Sequence, residues 1–313
     1  MRAKQEEKLE TRYWKLDTGN LVAATSNQGP GSSIEHPVPS IQRVLQEASV
    51  RLHAVSDASR LEAEILLSHV LDVSRTTLLT HPEHLPTPDQ LSDYQTHVRR
   101  RASGYPLPYL TGHIEFYRLE FEVTPDVLIP RSETETLVGL ALARRPATIV
   151  DVGTGSGCVA VSLAIHLPQA VIYAIDISPA TLAVARRNVE RHGVAGRVRL
   201  IAGDVLTPRP SPVDLIVSNP PYISTGECSS LPASVRNHEP RLALDGGTDG
   251  LAIVRRLLAQ APAVLRPGGG LLIEIDADQG EAASHLARIF FPRATIRVHP
   301  DLARRDRVLE IQT

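Results

Sequence analysis

The sequence predicts an α/β protein in which a small helical domain and a β-hairpin precede a doubly wound, mainly parallel sheet. Three observations indicate this fold. Apolar residues between 41 and 101 recur at helical spacing, the segment 104–130 is rich in aromatic residues, and short apolar runs alternate with helical patterns after residue 131. With 313 residues, 42% of them hydrophobic, the chain has enough material for one large or two modest globular domains.

The first forty residues differ in composition from the rest of the chain. All three lysines (Lys4, Lys8 and Lys15) and the only tryptophan, Trp14, lie there, followed by a stretch rich in Gly, Ser, Asn and Pro. Because no apolar face recurs at regular spacing, residues 1–40 are predicted to be a disordered extension. A mitochondrial presequence is the alternative, but the acidic residues of this segment are unusual in such a signal.

Residues 41–103 form the predicted helical domain, since apolar residues recur at helical spacing and no strand-like alternation occurs. Thr87 and Pro88 resemble the cap and first residue of a last helix, which runs to the arginine triplet 99–101. Three arginines at a helix end favour a solvated terminus that the helix dipole stabilises over a nucleic-acid contact.

The segment 104–130 is predicted to be a β-hairpin that links two domains, because its residues alternate around Leu119, Phe121 and Val123. Residues 131–313 form the predicted sheet domain. The last two apolar runs have no helix between them, so we expect an antiparallel pair at the edge of the sheet. The predicted strands are 148–151, 171–175, 198–201, 215–217 and 271–275, followed by the pair 294–298 and 307–311.

Charge and cysteine content exclude several classes of protein. A formal net charge of -2 argues against a sequence-independent polyanion binder. The two cysteines, Cys158 and Cys228, are too few for a disulfide framework and lack the paired spacing of a zinc site. No apolar run approaches the ~18 residues of a membrane-spanning helix. We therefore expect a soluble, cytoplasmic protein without a metal.

A glycine-rich turn follows the first predicted strand of the sheet, at Gly153, Gly155 and Gly157. Such a turn lets the backbone approach a ligand closely. The second strand ends at Asp176, where a carboxylate can accept both hydroxyls of a ribose, and the third ends at Asp204. Because ligands of open α/β sheets bind outside the carboxyl ends of the strands, we expect these five residues in one crevice.

Two cofactors compete for this crevice. NAD would place its pyrophosphate on the glycine turn, but Asp151 lies just before the turn and would repel a phosphate. The same carboxylate would attract the ammonium group of an amino acid. S-adenosylmethionine, which carries a ribose, an adenine and a methionine head, is therefore the predicted cofactor.

The fourth strand ends in Asn219-Pro220-Pro221-Tyr222. Two consecutive prolines fix the direction of the backbone and remove N–H donors. The side-chain oxygen of Asn219 and the carbonyl of Pro220 can then accept both hydrogens of a planar NH2 group, and Tyr222 supplies a face for it. A rigid turn without a chemical role is the alternative interpretation.

This signature suits the methylation of an amide or an aromatic amine, whose nitrogen lone pair is delocalised. The signature would contribute orientation and electrostatic stabilisation, without a covalent intermediate. Asn219 cannot act as a general base, so the proton is expected to leave after methyl transfer. No histidine lies in the signature, and His113, His166 and His238 are interpreted as structural.

From about residue 41 to residue 313, the sequence resembles the PrmC/HemK family of protein-(glutamine-N5) methyltransferases. These enzymes modify the glutamine of the Gly-Gly-Gln motif in class 1 peptide chain release factors. Besides the glycine turn and the signature, the resemblance rests on Pro108-Tyr109, Gly112, Glu115-Phe116, Val127-Leu128-Ile129-Pro130-Arg131, Glu133-Thr134-Glu135, Glu239-Pro240, Ala243-Leu244, Gly246-Gly247-Thr248-Asp249-Gly250-Leu251, Asp301-Leu302-Ala303 and Asp306-Arg307-Val308.

The resemblance implies a helical domain (41–103) that recognises the release factor, a hairpin linker (104–130) and a class I, Rossmann-like methyltransferase domain (131–313). It implies S-adenosylmethionine as the cofactor and a release factor as the partner. The residues that it implies for the cofactor are Gly153, Thr154, Gly155, Ser156, Gly157, Asp176, Asp204, Val205 and Asn219. Those for catalysis are Asn219, Pro220 and Tyr222, with Pro221 completing the substrate-binding loop.

Four positions depart from the family pattern. Ser132 stands where a proline is usual, Arg118 and Arg304 stand where a glycine is usual, and Asp276 stands where a glycine usually follows the strand that ends near Glu274. The signature itself is intact.

Two other functions are compatible with the same signature. An adenine or cytosine amino-methyltransferase of DNA or RNA would hold the exocyclic amine of a flipped base. Such an enzyme usually has a basic surface, so the near-neutral charge favours a protein substrate without stable nucleic-acid binding. A binding module without activity on the same fold is the second alternative, against which the intact signature argues.

Overall fold

A computed structural model describes residues 40–81, 85–207 and 212–313. The predicted extension, residues 1–40, lies outside the described residues except for Ser40. The described chain begins with a group of helices, continues through a two-stranded hairpin and ends in a seven-stranded sheet with helices on both faces.

Five helices make up the first part of the described chain. Side-chain caps begin three of them: Ser40 accepts from the backbone of Arg43, Ser74 caps the third helix, and Thr87 forms a capping box with Gln90. The helices are α1 (Ile41–Leu52), α2 (Ser59–Leu71), α3 (Arg75–Thr80), α4 (Pro88–Ala102) and α5 (Leu107–Thr111). The predicted helical segment thus extends one short helix further than expected.

These helices share an apolar core of their own, which includes Leu45, Leu66 and Tyr94. The buried Tyr94 hydroxyl donates to the carbonyl of Ala63 at 3.1 Å, so the ring is anchored as well as packed. The last helix, α5, was missed because it is a single short turn. Pro106 precedes it, and Gly112 ends it in the left-handed region at φ 79°.

The arginine triplet at the end of α4 is only partly solvated, so the prediction of a solvated terminus was wrong for one of its members. Arg101 Nε donates to Glu62 Oε2 at 2.8 Å, and both side chains are largely buried. Arg100 lies over the ring of Tyr105 at 4.1 Å, and Arg99 is exposed. The triplet therefore helps to hold the helical part together.

The hairpin pairs β1 (His113–Phe116) with β2 (Leu119–Glu122) in antiparallel register. Its two-residue turn, Tyr117 and Arg118, has positive φ at both positions, 51° and 60°. A turn of this kind matches the twist of the strands and favours glycine. Because Arg118 stands where the family pattern has a glycine, it adopts this backbone conformation at a cost.

The sheet has the strand order β5-β4-β3-β6-β7-β9-β8. The first five strands are parallel, whereas β9 runs antiparallel to both β7 and β8, so the predicted sheet and its antiparallel edge are confirmed. The strands are β3 (Thr148–Val152), β4 (Val171–Asp176), β5 (Val198–Ala202), β6 (Val213–Ser218), β7 (Leu265–Glu274), β8 (Thr295–Pro300) and β9 (Asp306–Gln312).

Helices cover both faces of the sheet because successive strand residues alternate between them: Ile149 packs into one core and Val150 into the other. Leu137 and Val161 join the first core, and Val254 joins the second. The helices are α6 (Thr134–Arg144), α7 (Cys158–His166), α8 (Pro179–Arg191), α9 (Ala233–Arg236), α10 (Ala252–Gln260) and α11 (Gly280–Phe290).

The strand order reverses between β3 and β6, because β4 and β5 lie on one side of β3 and β6 and β7 on the other. Such a switch point leaves a crevice at the carboxyl ends of the strands. Among the described residues, no helix combines the length and the apolar character needed to cross a membrane.

Candidate active site

A cavity of about 250 Å³ opens at this switch point. Of the residues predicted for the site, Gly157 and Tyr222 do not line the cavity, and all the others do: Gly153, Thr154, Gly155, Ser156, Asp176, Asp204, Val205, Asn219, Pro220 and Pro221. The fold thus brings together the ends of β3, β4, β5 and β6, as the strand-end positions in the sequence predict.

The turn between β3 and α7 needs its glycines. Gly153, Gly155 and Gly157 have φ of 72°, 58° and 81°, a region that other residues rarely adopt. Gly153 and Gly155 face the cavity, whereas Gly157 packs against Ala185 of α8, where an added Cβ would lie 3.4 Å from the alanine Cβ. In this structure Gly157 therefore serves helix packing.

Asp151 precedes this turn and is almost fully buried. The Thr154 hydroxyl donates to Asp151 Oδ2 at 2.6 Å. Burial raises the pKa of Asp151 to about 7, and the nearby Asp176 carboxylate acts in the same direction. A bound cation would favour the ionised form, so the group suits the ammonium of an amino acid better than a phosphate.

Asp176 ties the end of β4 to the glycine turn. One carboxylate oxygen accepts the backbone N–H of Gly155 and the other that of Ser178, both at 3.0 Å. Burial raises the pKa of Asp176, although these backbone hydrogen bonds oppose the shift. Ile177, half exposed, follows at the edge of the cavity and offers an apolar surface beside the carboxylate.

Asp204 and Val205 follow β5. Val205 has a φ of 57°, which turns the chain sharply at the cavity. Arg256 of α10 contacts Asp204 Oδ2 through Nη2 at 2.5 Å and also lines the cavity. Sequence reasoning missed Arg256, because α10 begins almost fifty residues after β5 and no local motif marks it.

Asn219 follows β6 and is held by a residue of another element. Its Nδ2 donates to the hydroxyl of Thr134, at the start of α6, at 3.0 Å. Because the amide nitrogen is committed in this way, the amide oxygen is the end of Asn219 that remains for a ligand. Thr134 is buried and also lines the cavity.

Two glycines pack closely against the backbone that follows Asn219. A Cβ at Gly246 would lie 2.6 Å from the carbonyl oxygen of Pro221, and one at Gly250 would overlap the carbonyl oxygen of Tyr222. Gln279 donates from Nε2 to the same Tyr222 carbonyl at 2.9 Å. The two glycines belong to a motif quoted for the family resemblance, but their role here appears only in the structure.

Tyr222 does not line the cavity, and its hydroxyl donates to Oε1 of the buried Glu274 at 3.4 Å. Burial raises the pKa of Glu274 to about 7 and also raises the pKa of Tyr222. The strand end at Glu274 was noted in the sequence only for the departure that follows it, so this pair was also missed.

An ion pair joins the segment before α6 to the loop after the signature. Arg131 Nη2 contacts Glu239 Oε1 at 2.5 Å, and Glu239 is almost fully buried. Its other oxygen accepts the backbone N–H of Ile129 at 3.3 Å. Motifs about 110 residues apart in the chain are thus joined beside the cavity, which Arg131 and Pro240 line.

The three histidines interpreted as structural lie outside the residues that line the cavity. His166 bonds through Nδ1 with the carbonyl of Ser162, and His113 with that of Thr111. His238 packs edge-on against Tyr105 at 4.8 Å between ring centroids. In the described parts of the chain, no group of three His, Cys, Asp or Glu residues is arranged to hold a metal ion.

The donors around the cavity fit S-adenosylmethionine. Carboxylates stand at the ends of three adjacent strands, where they can meet an ammonium group, ribose hydroxyls and an adenine amine. Between these carboxylates, the glycine turn presents backbone groups that no side chain covers. Asp151, Asp176 and Asp204 would hold the cofactor, together with the backbone at Gly153 and Gly155.

Comparisons with known proteins agree with this arrangement. A family model described as the PrmC N-terminal domain matches residues 43–112, and one described as the methyltransferase small domain matches residues 133–234. A protein of Moorella thermoacetica named release factor glutamine methyltransferase is 49% identical over 85% of this chain and 96% of its own length.

Proteins with the same name from other bacteria are also similar. The Geobacter sulfurreducens protein is 46% identical over 71% of this chain and 79% of its own length. The Nitratidesulfovibrio vulgaris protein is 41% identical over 86% of this chain and 94% of its own length. The likeness thus spans the helices, the hairpin and the sheet, and the chain belongs to the release factor glutamine methyltransferase family.

Proposed function

We propose that this protein transfers a methyl group from S-adenosylmethionine to the side-chain nitrogen, N5, of the glutamine in the Gly-Gly-Gln motif of class 1 peptide chain release factors. The observation that carries the proposal is the orientation of Asn219. Its Nδ2 is bound to Thr134, so its Oδ1 and the adjacent Pro220 carbonyl can accept the two hydrogens of a primary amide.

For this reaction the protein must orient a poor nucleophile. An amide nitrogen shares its lone pair with the carbonyl group, and hydrogen bonds from its N–H groups to Asn219 and Pro220 increase the electron density on nitrogen. Bound S-adenosylmethionine supplies an electrophilic methyl group on its sulfonium sulfur. The two acceptors hold the amide in line with that methyl group. Their contribution to the rate comes mainly from this orientation.

The remaining step is the loss of a proton from the methylated nitrogen. Asn219 is not a base, and the described histidines do not line the cavity. We expect the proton to leave after the new N–C bond has formed. This assignment keeps Asn219 and Pro220 as orienting groups, with Pro221 and Tyr222 setting the shape of the loop, and needs no covalent intermediate.

The proposed partner is a release factor, and the relatives named above support this choice. Because translation termination takes place in the cytoplasm, we place the protein there. The helical part, α1 to α5, is proposed to contact the release factor. With a net charge of -2, the protein is not expected to bind nucleic acid stably.

A methyl-transfer assay with both substrate classes tests this proposal. Purified protein and S-adenosylmethionine with a labelled methyl group are incubated with a release factor, with its Gln→Ala variant in the Gly-Gly-Gln motif, and with DNA and RNA. Label is expected in the release factor alone. Label in nucleic acid with an unlabelled release factor would support the amino-methyltransferase alternative instead.

A further inference from the structure

The turn between β8 and β9 displays an apolar side chain that the site described above does not use. Leu302 is fully exposed, with a relative exposure of 102%. In the described parts of the chain, the next most exposed of the large apolar residues is Val50, at 67%. Leu302 belongs to the motif Asp301-Leu302-Ala303, which carries part of the family resemblance and which neither the cofactor nor the signature explains.

Hydrogen bonds hold this turn in one shape without any contribution from Leu302. The Asp301 carboxylate accepts the backbone N–H of Arg305 at 3.1 Å and the Nε–H of Arg307 at 3.2 Å. Asp301 and Arg307 are both buried. The backbone N–H of Asp301 also donates to the carbonyl of Arg305, at 2.8 Å. The turn therefore presents Leu302 to solvent in a fixed position.

The turn lies at the edge of the sheet where the cavity opens. Since β7 is parallel to β6, and β9 is antiparallel to both β7 and β8, the residues between β8 and β9 meet the carboxyl end of β7. Arg307 Nη1 donates to the carbonyl of Ile275, the residue after β7, at 3.2 Å. Two strand spacings of about 4.8 Å each separate β9 from β6, the strand that the signature follows.

A second exposed leucine lies at the same edge. Leu242, in the short helical turn Arg241–Ala243, lines the cavity and is 61% exposed. A single exposed leucine is ordinary on a protein surface. Here, however, one leucine lies at the cavity and another lies beyond β7 on a rigid turn, so both face the side from which a large substrate must approach.

The size of a protein substrate brings it onto both leucines. A stable protein contact covers about 800 Å² of each partner, which is a patch wider than the two strand spacings between β6 and β9. A protein whose glutamine reaches Asn219 would therefore also cover the β8–β9 turn. Arg304 and Arg305 are exposed beside Leu302, so the surface suits an apolar patch that is bordered by acidic groups.

We propose that Leu302 and Leu242 are docking contacts for the release factor, which bind apolar surface of the domain that carries the Gly-Gly-Gln motif. The inference rests on the proposed function. It adds a contact on the sheet domain to the one proposed for α1 to α5. Because Leu302 does not line the cavity, it acts on substrate binding and leaves the chemical step unchanged.

Two variants of the full chain, Leu302→Ser and Leu302→Met, test the inference. The measurements are kcat and KM with a release factor, the cofactor Kd and the thermal unfolding midpoint. Leu302→Ser should raise KM ~5–50-fold, the scale set by burial of one leucine, with kcat and the cofactor Kd within about twofold. Leu302→Met keeps the apolar area and should leave KM within about twofold. Neither variant should change the midpoint, since the fully exposed side chain adds nothing to the core.

Ile289→Ser is the matched control. Ile289 is 61% exposed near the end of α11, a helix that begins at Gly280 in close packing with Asp306 and carries Ile289 about 14 Å further along its axis. The control thus replaces an exposed apolar residue far from the cavity edge, and KM should not change.

Leu242→Ser separates the release factor from the cofactor as the ligand of Leu242. The variant should raise KM for the release factor and leave the cofactor Kd unchanged. A raised cofactor Kd with an unchanged KM would assign Leu242 to the cofactor and overturn its part in docking.

The inference fails if Leu302→Ser methylates the release factor with an unchanged KM, or if Ile289→Ser raises KM as much. It also fails if sedimentation shows an oligomer of the unsubstituted protein that Leu302→Ser dissociates, because a second copy of the chain would then cover the turn. These results would leave the proposed function intact. An unsubstituted enzyme that leaves the release factor unmethylated would overturn the proposed function, and this inference with it.

Discussion

Gln279 Nε2 lies 2.9 Å from the carbonyl oxygen of Tyr222 and donates a hydrogen bond to it. Gly250 packs directly against both groups, and Gln279 also accepts the backbone N–H of Asp276 through its side-chain oxygen at 3.1 Å. The residue that departs from the family pattern, Asp276, thus takes part in the contact through its backbone, which any residue supplies. This contact fixes the signature at Tyr222 and does not involve Asn219 and Pro220, the proposed hydrogen-bond acceptors for the substrate.

The contact at Gly250 predicts a strong effect for Gly250→Ala. The added methyl group would overlap the Tyr222 carbonyl at a backbone φ of 72°, so we expect a loss of roughly 2–4 kcal/mol in unfolding free energy and of most methyl transfer. Chemical denaturation and the transfer assay measure both effects.

Gly139→Ala is the matched control. Gly139 lies in α6 with open space around its α-carbon, so alanine should leave activity unchanged and add about 0.5–1 kcal/mol of stability. Equal behaviour of the two variants would show that the packing at Gly250 is not tight.

Asp176→Ala is expected to weaken cofactor binding. The change removes a carboxylate that accepts from Gly155 and Ser178 and is proposed to meet the ribose. Losing hydrogen bonds to a charged group should raise the cofactor Kd about 10–100-fold, as measured by calorimetry. Asp278→Ala, an exposed change outside the cavity, should leave the Kd unaltered. A Kd that is the same in both variants would argue against a role for Asp176.

Glu274 makes stability depend on pH in a defined direction. Its pKa rises from 4.5 to about 7 on folding, so the folded state binds the proton more tightly than the unfolded state. The stabilisation this provides is complete below pH 4.5 and is lost as the pH rises through 7, which amounts to roughly 3 kcal/mol.

Glu274→Gln has no titrating group at this position. The unfolding free energy of the variant, relative to that of the unsubstituted protein, should therefore increase between pH 5 and pH 8. Asp151, whose pKa is also raised to about 7, titrates in both proteins and cancels from the comparison. A difference that stays constant with pH would contradict the raised pKa of Glu274.

Arg304 adopts a φ of 61° in the turn between β8 and β9, where the family pattern has a glycine. Arg304→Gly should relieve this backbone and add about 0.5–1 kcal/mol of stability, seen as a higher thermal midpoint. Arg305→Gly, one residue further along and outside the left-handed region, should not stabilise the protein. If both substitutions had the same effect, the conformation of Arg304 would carry no cost.

The sheet and the strand-end residues were predictable because they depend on local patterns. Apolar runs of strand length predicted β3 to β7. The turn at Gly153 and the signature at Asn219 come directly after two of these strands in the chain. Once the sheet is parallel, strand ends must meet at one edge.

The contacts that orient these residues were not predictable in the same way. Asn219 and Thr134 are 85 residues apart in the chain, and Tyr222 and Gln279 are 57 apart. No local spacing encodes such pairs, because they depend on how α6 and the end of β7 pack around the loop. For the same reason the sequence predicted Gly157 and Tyr222 as site residues, although neither lines the cavity.

The most direct test of this account is to locate the methyl group by mass spectrometry on a release factor treated with the unsubstituted protein or with Asn219→Ala. The account predicts methylation of the Gly-Gly-Gln glutamine by the unsubstituted protein and almost none by Asn219→Ala, whose cofactor Kd stays nearly normal. Methylation by Asn219→Ala at the unsubstituted rate, or a methyl group on another residue, would contradict the account.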